Sequence, residues 1–129
     1  ACVSTSAAVT EIELMGTWVS FGDTHEITNE SWEQSGSFDG IDYSSLFHIV
    51  DFDNDDRFAI AENDSDNEYN PDLYSRFDWT VNDDGDFVYC QSAFDAATEA
   101  AARAASADDA DLAAGCGGFS WSPLDPVSE

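Results

Sequence analysis

Apolar and polar residues alternate with a period of two along much of this chain, most clearly over residues 74–91. Ser75, Phe77, Trp79 and Val81 fall on one face of an extended segment, and Tyr74, Arg76, Asp78 and Thr80 fall on the other. That alternation predicts a half-buried strand. Asn82-Asp83-Asp84-Gly85 follows and predicts a tight turn, because glycine takes a positive φ without steric cost. The chain returns over residues 86–91 with Phe87 and Tyr89 on a shared face. A lone hairpin is marginal in water, so this aromatic surface requires more sheet to cover it.

The same pattern predicts further strands on either side. Residues 15–21 form a first strand, and 24–28 with 31–34 form a hairpin around Asn29-Glu30. Residues 35–43 read as a Gly/Ser/Asp loop. Residues 45–53 are apolar on both faces, as a central strand is, and 57–63 return after a turn at 54–56. Residues 64–72 form a polar loop in which Asn70-Pro71 breaks pairing. Beyond the main hairpin, Ser92 caps a helix over 93–105, a run dominated by helix formers. An acidic linker over 106–112 leads to a short last strand at 119–122, stopped by Pro123. About seven or eight short strands and one C-terminal helix define an all-β protein, an antiparallel meander barrel or sandwich. At 129 residues it is one domain, with residues 1–13 as an N-terminal linker and 14–129 as the packed unit. The expected core is Trp18, Phe58, Ile60, Phe77, Trp79, Phe87 and Tyr89.

Gly16-Thr17-Trp18 on the first strand resembles the Gly-x-Trp signature of the lipocalins and related calycin barrels, which include the avidins. The chain length and a helix after the main meander are similar too. The resemblance implies an antiparallel barrel around a central ligand cavity. In lipocalins an arginine of the last strand packs on this tryptophan. The last strand here has none, and Arg76 alone is placed on a strand near enough to substitute. Aromatics facing a cavity are how small barrels hold apolar ligands, which makes Trp18, Phe77, Trp79 and Tyr89 the candidate ligand contacts. The alternative is that the tryptophans are plain core.

Charge narrows the partners. There are 28 acidic residues against three arginines and no lysine, for a net charge of −25. Nucleic acid and anionic lipid headgroups both require basic surface, so neither is an expected partner. The partners expected are a small apolar molecule or another surface protein. Membrane contact is expected only through a lipid anchor, since no apolar run reaches the length of a span.

Three cysteines bear on the compartment. Cys90 ends the returning strand, and Cys116 is the one cysteine downstream of it, so the two are expected to bridge around the helix and the acidic linker; the alternative is two buried free thiols. The odd cysteine, Cys2, follows a small residue and precedes a small, polar stretch, a pattern that resembles the processing site of bacterial lipoproteins. That resemblance implies a lipidated Cys2 on an extracytoplasmic protein. A free thiol or an intermolecular bridge are the alternatives.

Catalytic signals are sparse. No Gly-x-Ser-x-Gly elbow occurs, and His25 and His48 lack the company of zinc ligands. The stretch from Asp51 to Glu62 sets carboxylates Asp51, Asp53, Asp55 and Glu62 at the first, third, fifth and twelfth positions of a calcium-loop template. Its sixth position is Asp56 where the template needs glycine, and its flanks read as strands, so an acidic hairpin turn is the preferred reading. The leading expectation is a non-catalytic, extracytoplasmic binding or interaction module. The alternatives are a calcium-dependent structural or adhesion module and an enzyme of unknown class.

Overall fold

Nine antiparallel strands follow one another in a single meander in the computed structural model, which describes residues 11–127. They are β1 (Gly16–Ser20), β2 (Asp23–Ile27), β3 (Ser31–Phe38), β4 (Ile41–Asp53), β5 (Phe58–Asn63), β6 (Tyr74–Val81), β7 (Phe87–Ala96), β8 (Ser122–Pro123) and β9 (Asp125–Pro126). A short helix, α1 (Glu99–Ala104), lies between β7 and β8. Each of β1 to β7 pairs with its sequence neighbours, and the sheet curls into a nearly closed barrel. The gap between β7 and β1 is bridged by the last two strands. Ser122 and Pro123 pair with Tyr89 and Val88, while Asp125 and Pro126 pair with Val19 and Trp18. Leu124 between them is fully buried, and its N–H donates to Phe87 O at 2.9 Å. Pro123 therefore belongs to the closing strand and does not end one. Proline donates no ladder bond, and a two-residue pairing at the seam tolerates that.

The barrel is filled by its own side chains. Trp32 stacks on Phe77 with ring centroids 4.2 Å apart, and Phe77 meets Phe47 edge-on at 5.2 Å. Ile27, Ala59, Ala61, Trp79 and Leu124 complete this core, with Trp18, Phe87 and Tyr89 packed against it. Ile12 and Leu14 are also buried in it. Between them Glu13 accepts from Trp79 Nε1 at 2.8 Å and from Arg57 Nε at 2.9 Å. Ile12 and Leu14 thus pack into the barrel core, with Glu13 bonded to it between them.

Two expected core residues lie elsewhere. On β5 the inner positions are Ala59 and Ala61, whereas Phe58 and Ile60 face outward. Inner space opposite Trp32 and Phe77 leaves room for small residues only, and large and small side chains alternate across small barrels for this reason. Ile60 is buried nonetheless, on the side where α1 packs against β5, β6 and β7. The Arg76 guanidinium sits 4.5 Å from the centre of the Phe58 ring and pairs with Asp78 at 3.0 Å. Arg76 therefore packs on this outer face; Trp18 instead meets Phe87 edge-on at 5.7 Å.

The helix is shorter than its composition predicts. Residues 93–96 belong to β7, held in register by β6 through Arg76↔Ala93 and Tyr74↔Ala96. The cap is Thr98, not Ser92; its hydroxyl accepts from Ala101 N–H at 3.1 Å. Cys90 and Cys116 form the expected disulfide, with Cα atoms 5.7 Å apart. With Val88 and Trp121 they make a second, smaller core outside the barrel wall.

Candidate functional site

The stretch over residues 35–43 is not a loop. β3 runs on to Phe38, turns at Asp39-Gly40, and returns from Ile41. Both turn residues have positive φ, 54° and 79°, as a two-residue hairpin turn of type I′ requires. The resulting hairpin outruns its neighbours. β2 pairs with β3 only as far as Ser35, and β5 pairs with β4 only from Phe47 onward. Its tip therefore overhangs one end of the barrel. Gly36 pairs with Tyr43 and Phe38 with Ile41, in the same facing rows as Trp32 with Phe47, so these side chains continue the inner face beyond the rim.

The Tyr43 ring lies across Gly36, and its hydroxyl donates to Asp23 Oδ1 at 2.5 Å. A Cβ at position 36 would collide with both partners, so glycine is needed there. This hydrogen bond, with the neighbouring carboxylate charge, pushes the Tyr43 hydroxyl pKa up. The loop after β5 approaches the overhang from the other side. Its Asn67 pins the unpaired edge of β4, donating to Leu46 O at 2.8 Å and accepting from Leu46 N–H at 2.9 Å. Tyr69 on this loop faces the hairpin across a cleft of about 570 Å³ that is also lined by Phe38, Ile41, Tyr43 and Glu68. Four large apolar side chains are left in water there: Phe38 at 76%, Tyr69 at 73%, Ile41 at 69% and Tyr43 at 44% exposure.

A smaller hollow of about 230 Å³ opens at the adjoining barrel mouth, sharing Ser45 and Tyr69 with the first. Uncharged polar side chains line it: Gln34, Ser45, Asn63 and Gln91, with Phe94 at the edge. Three groups fix the Asn63 side chain. Its Nδ2 donates to Asn70 O at 2.9 Å and Phe94 O at 3.0 Å, and its Oδ1 accepts from the Ser75 hydroxyl at 2.6 Å, which in turn accepts from Gln91 Nε2 at 3.1 Å. Gln34 is different. Its Nε2 is buried and has no hydrogen-bond partner among the described residues.

The residues singled out from the sequence distribute as follows. Trp18, Phe77, Trp79 and Tyr89 do converge inside the barrel, but they pack on one another and on Trp32 and His25, and none of them lines the cleft or the mouth. Burial, helped by the charge of Asp23, pushes the Tyr89 hydroxyl pKa up to about 12. Asp51 pairs with Arg103 at 2.9 Å. Asp53 caps its own turn, accepting from the N–H groups of Asp55 at 2.8 Å and Asp56 at 3.1 Å. Glu62 lies along β5 opposite His48 and Tyr74. Among the described residues no three His, Cys, Asp or Glu side chains converge as metal ligands would. Cys2 lies outside the described residues.

Neither histidine lines the mouth or the cleft. His25 Nδ1 accepts from Trp32 Nε1 at 3.0 Å inside the core, and His48 Nε2 meets Asp64 at 2.7 Å on the outer surface. Sequence reasoning missed Phe38, Ile41, Tyr43, Gln34 and Tyr69. The signal for the first three was Asp39-Gly40, a hairpin dipeptide flanked by Phe38 and Ile41. Tyr69 and Gln34 carry no local signal, since only the fold brings them together.

The arrangement is thus a nearly closed, filled antiparallel barrel with a polar mouth beneath an aromatic overhang. No family model matches the chain, and no curated protein and no solved structure matches it either. The resemblance to lipocalins therefore rests on Gly16-Thr17-Trp18, the chain length and the helix after the meander.

Proposed function

We propose that this protein is a non-catalytic binding module that works outside the cytoplasm and holds its ligand at the barrel mouth and under the β3–β4 overhang. One observation carries the reading: Phe38, Ile41, Tyr43 and Tyr69 stand exposed around a single cleft. Large apolar side chains gathered in water mark binding surfaces, because each is costly to leave hydrated. The hydrogen bond from Tyr43 to Asp23 fixes one wall in advance, which lowers the ordering cost of binding. The Cys90–Cys116 disulfide fits an oxidising compartment, and Cys2 is the proposed point of lipid attachment to a membrane surface. The ligand-gripping residues are thus moved from the barrel interior to its rim, since the interior aromatics are already in contact with one another.

Titration with N-phenyl-1-naphthylamine, a neutral apolar fluorophore, tests this reading. Saturable fluorescence enhancement is expected, with affinity lowered about tenfold by Tyr69→Ala and by Phe38→Ala, the loss of one aromatic contact. Equal binding by all three proteins, or none by the wild type, refutes the assignment of the rim as the site.

A further inference from the structure

We infer that the ligand of the mouth is a neutral saccharide, one ring seated against Gln34, Ser45 and Gln91 with the chain continuing under the overhang. This inference rests on the binding-module reading above and names the chemistry of its ligand. Its starting point is Gln34. A buried amide nitrogen without an acceptor is destabilising, and native structures keep such groups where a ligand, water or ion completes them. The missing partner is therefore an acceptor. The neighbouring groups extend the requirement. Gln91 commits one of its two amide N–H groups to Ser75, which leaves the other as a donor and its carbonyl oxygen as an acceptor, and the Ser45 hydroxyl both donates and accepts. A ligand matching all three must offer donors and acceptors side by side without charge, as adjacent sugar hydroxyls do.

The walls point the same way. Tyr69 and Phe94 border the mouth, and a pyranose carries a face of C–H groups that lies against aromatic rings while its hydroxyls project from the edge. Other ligand classes fit less well. A wholly apolar molecule would leave the Gln34 donor unpaired. Phosphates and carboxylates would meet Glu68 at the cleft and the field of a chain with net charge −25. An organic cation would find Glu68, but the Gln34 amide would turn its N–H groups toward it. Size agrees as well. The mouth, at about 230 Å³, is smaller than a site for a drug-sized molecule, whereas mouth and cleft together are large enough for more than one ring.

Isothermal titration calorimetry with cellohexaose, maltohexaose, mannohexaose and chitohexaose tests the inference, using wild type, Gln34→Leu, Tyr69→Ala and Phe119→Ala. Phe119 is an exposed aromatic that lines neither the mouth nor the cleft. At least one hexasaccharide is expected to bind the wild type and Phe119→Ala alike. Gln34→Leu should weaken it about tenfold without lowering the melting temperature, since removing an unpaired buried donor relieves a cost. Tyr69→Ala, on a surface loop, should weaken it by a similar factor and keeps the test open should Gln34→Leu fold poorly. Binding by none of the four sugars, or equal binding by wild type and Tyr69→Ala, overturns the inference. The naphthylamine titration separates the two failures. Tyr69-dependent dye binding without any sugar binding leaves the binding module standing and removes the saccharide, whereas loss of both removes both.

Discussion

His25 shows how much a single buried side chain can weigh in this barrel. It is 2% exposed, lies edge-on to Tyr89 with centroids 5.2 Å apart, and accepts a hydrogen bond from Trp32. Burial drives its pKa down to about 4, and the nearby Asp23 carboxylate only partly opposes this. The imidazole is therefore neutral in the folded protein at pH 7, and the tautomer is set by Trp32 Nε1 donating to Nδ1. The folded pKa lies below the unfolded one, so the unfolded chain binds the extra proton first. This contribution to stability is complete above about pH 6.5 and is lost as the pH falls toward 4. The loss by pH 4 is roughly 3 kcal/mol. Protonation of crowded carboxylates acts in the opposite sense over the same range, so the measurement has to be a difference. Chemical denaturation of wild type and His25→Gln between pH 7 and pH 4.5 should show the wild type losing stability more steeply. Parallel curves would mean that His25 charges without cost in the fold.

At the scale of elements, the chain is held together by a clasp. β8 and β9 are two residues each, yet they connect β7 to β1 and so join the two ends of the meander. The disulfide fixes the segment leading to them against β7, closing a loop of 26 residues. Such a closure is worth about 3–4 kcal/mol in the chain-entropy account. The double variant Cys90→Ser/Cys116→Ser should therefore lower unfolding free energy by about that amount, and hydrogen exchange should quicken first at Leu124 and Val127, whose N–H groups bond to Phe87 and Thr17. Unchanged stability would place the clasp's strength in Leu124 and Trp121 burial alone. The hairpins over 24–34, 45–63 and 74–91 could be read in advance, because strict alternation and turn dipeptides are local properties. What could not be read depended on neighbours. Residues 93–96 have the composition of a helix, but pairing to β6 outweighs a propensity of a few tenths of a kcal/mol per residue. Residues 58–61 are apolar on both faces, so alternation does not say which face is inner; the crowding of Trp32 and Phe77 decides it. The candidate site was the least legible part. Serines and glycines over 35–43 hide the hairpin, and Gln34 becomes notable only once its amide is seen to lack a partner.

For the molecule as a whole, charge is the dominant fact. Arg57, Arg76 and Arg103 are each paired within the chain, with Glu13, Asp78, and Asp51 and Glu99 respectively. The remaining carboxylates face one another with no cation of the chain left to offset them, and folding brings them closer. Sodium chloride should raise the melting temperature steadily as the Debye length falls from about 30 Å to about 3 Å. At high, fixed sodium chloride a calcium titration should add no saturating rise. A saturating rise that is lost in Asp53→Asn/Asp55→Asn would instead mark a specific cation site, following RT ln(1 + [L]/Kd). The clasp also has a bearing on how the molecule is made. Val19 and Trp18 meet Asp125 and Pro126, so the outer edge of the first strand stays uncovered until residues 125–126, far along the chain from it, have been synthesised. Until then β1 and β7 both present unpaired backbone, the kind of edge on which chains join one another into aggregates. Mutual repulsion among nascent acidic chains keeps those edges apart during the interval. The same carboxylates that weaken the finished barrel thus protect the unfinished one, and oxidation of Cys90 with Cys116 shortens the search that ends the exposure.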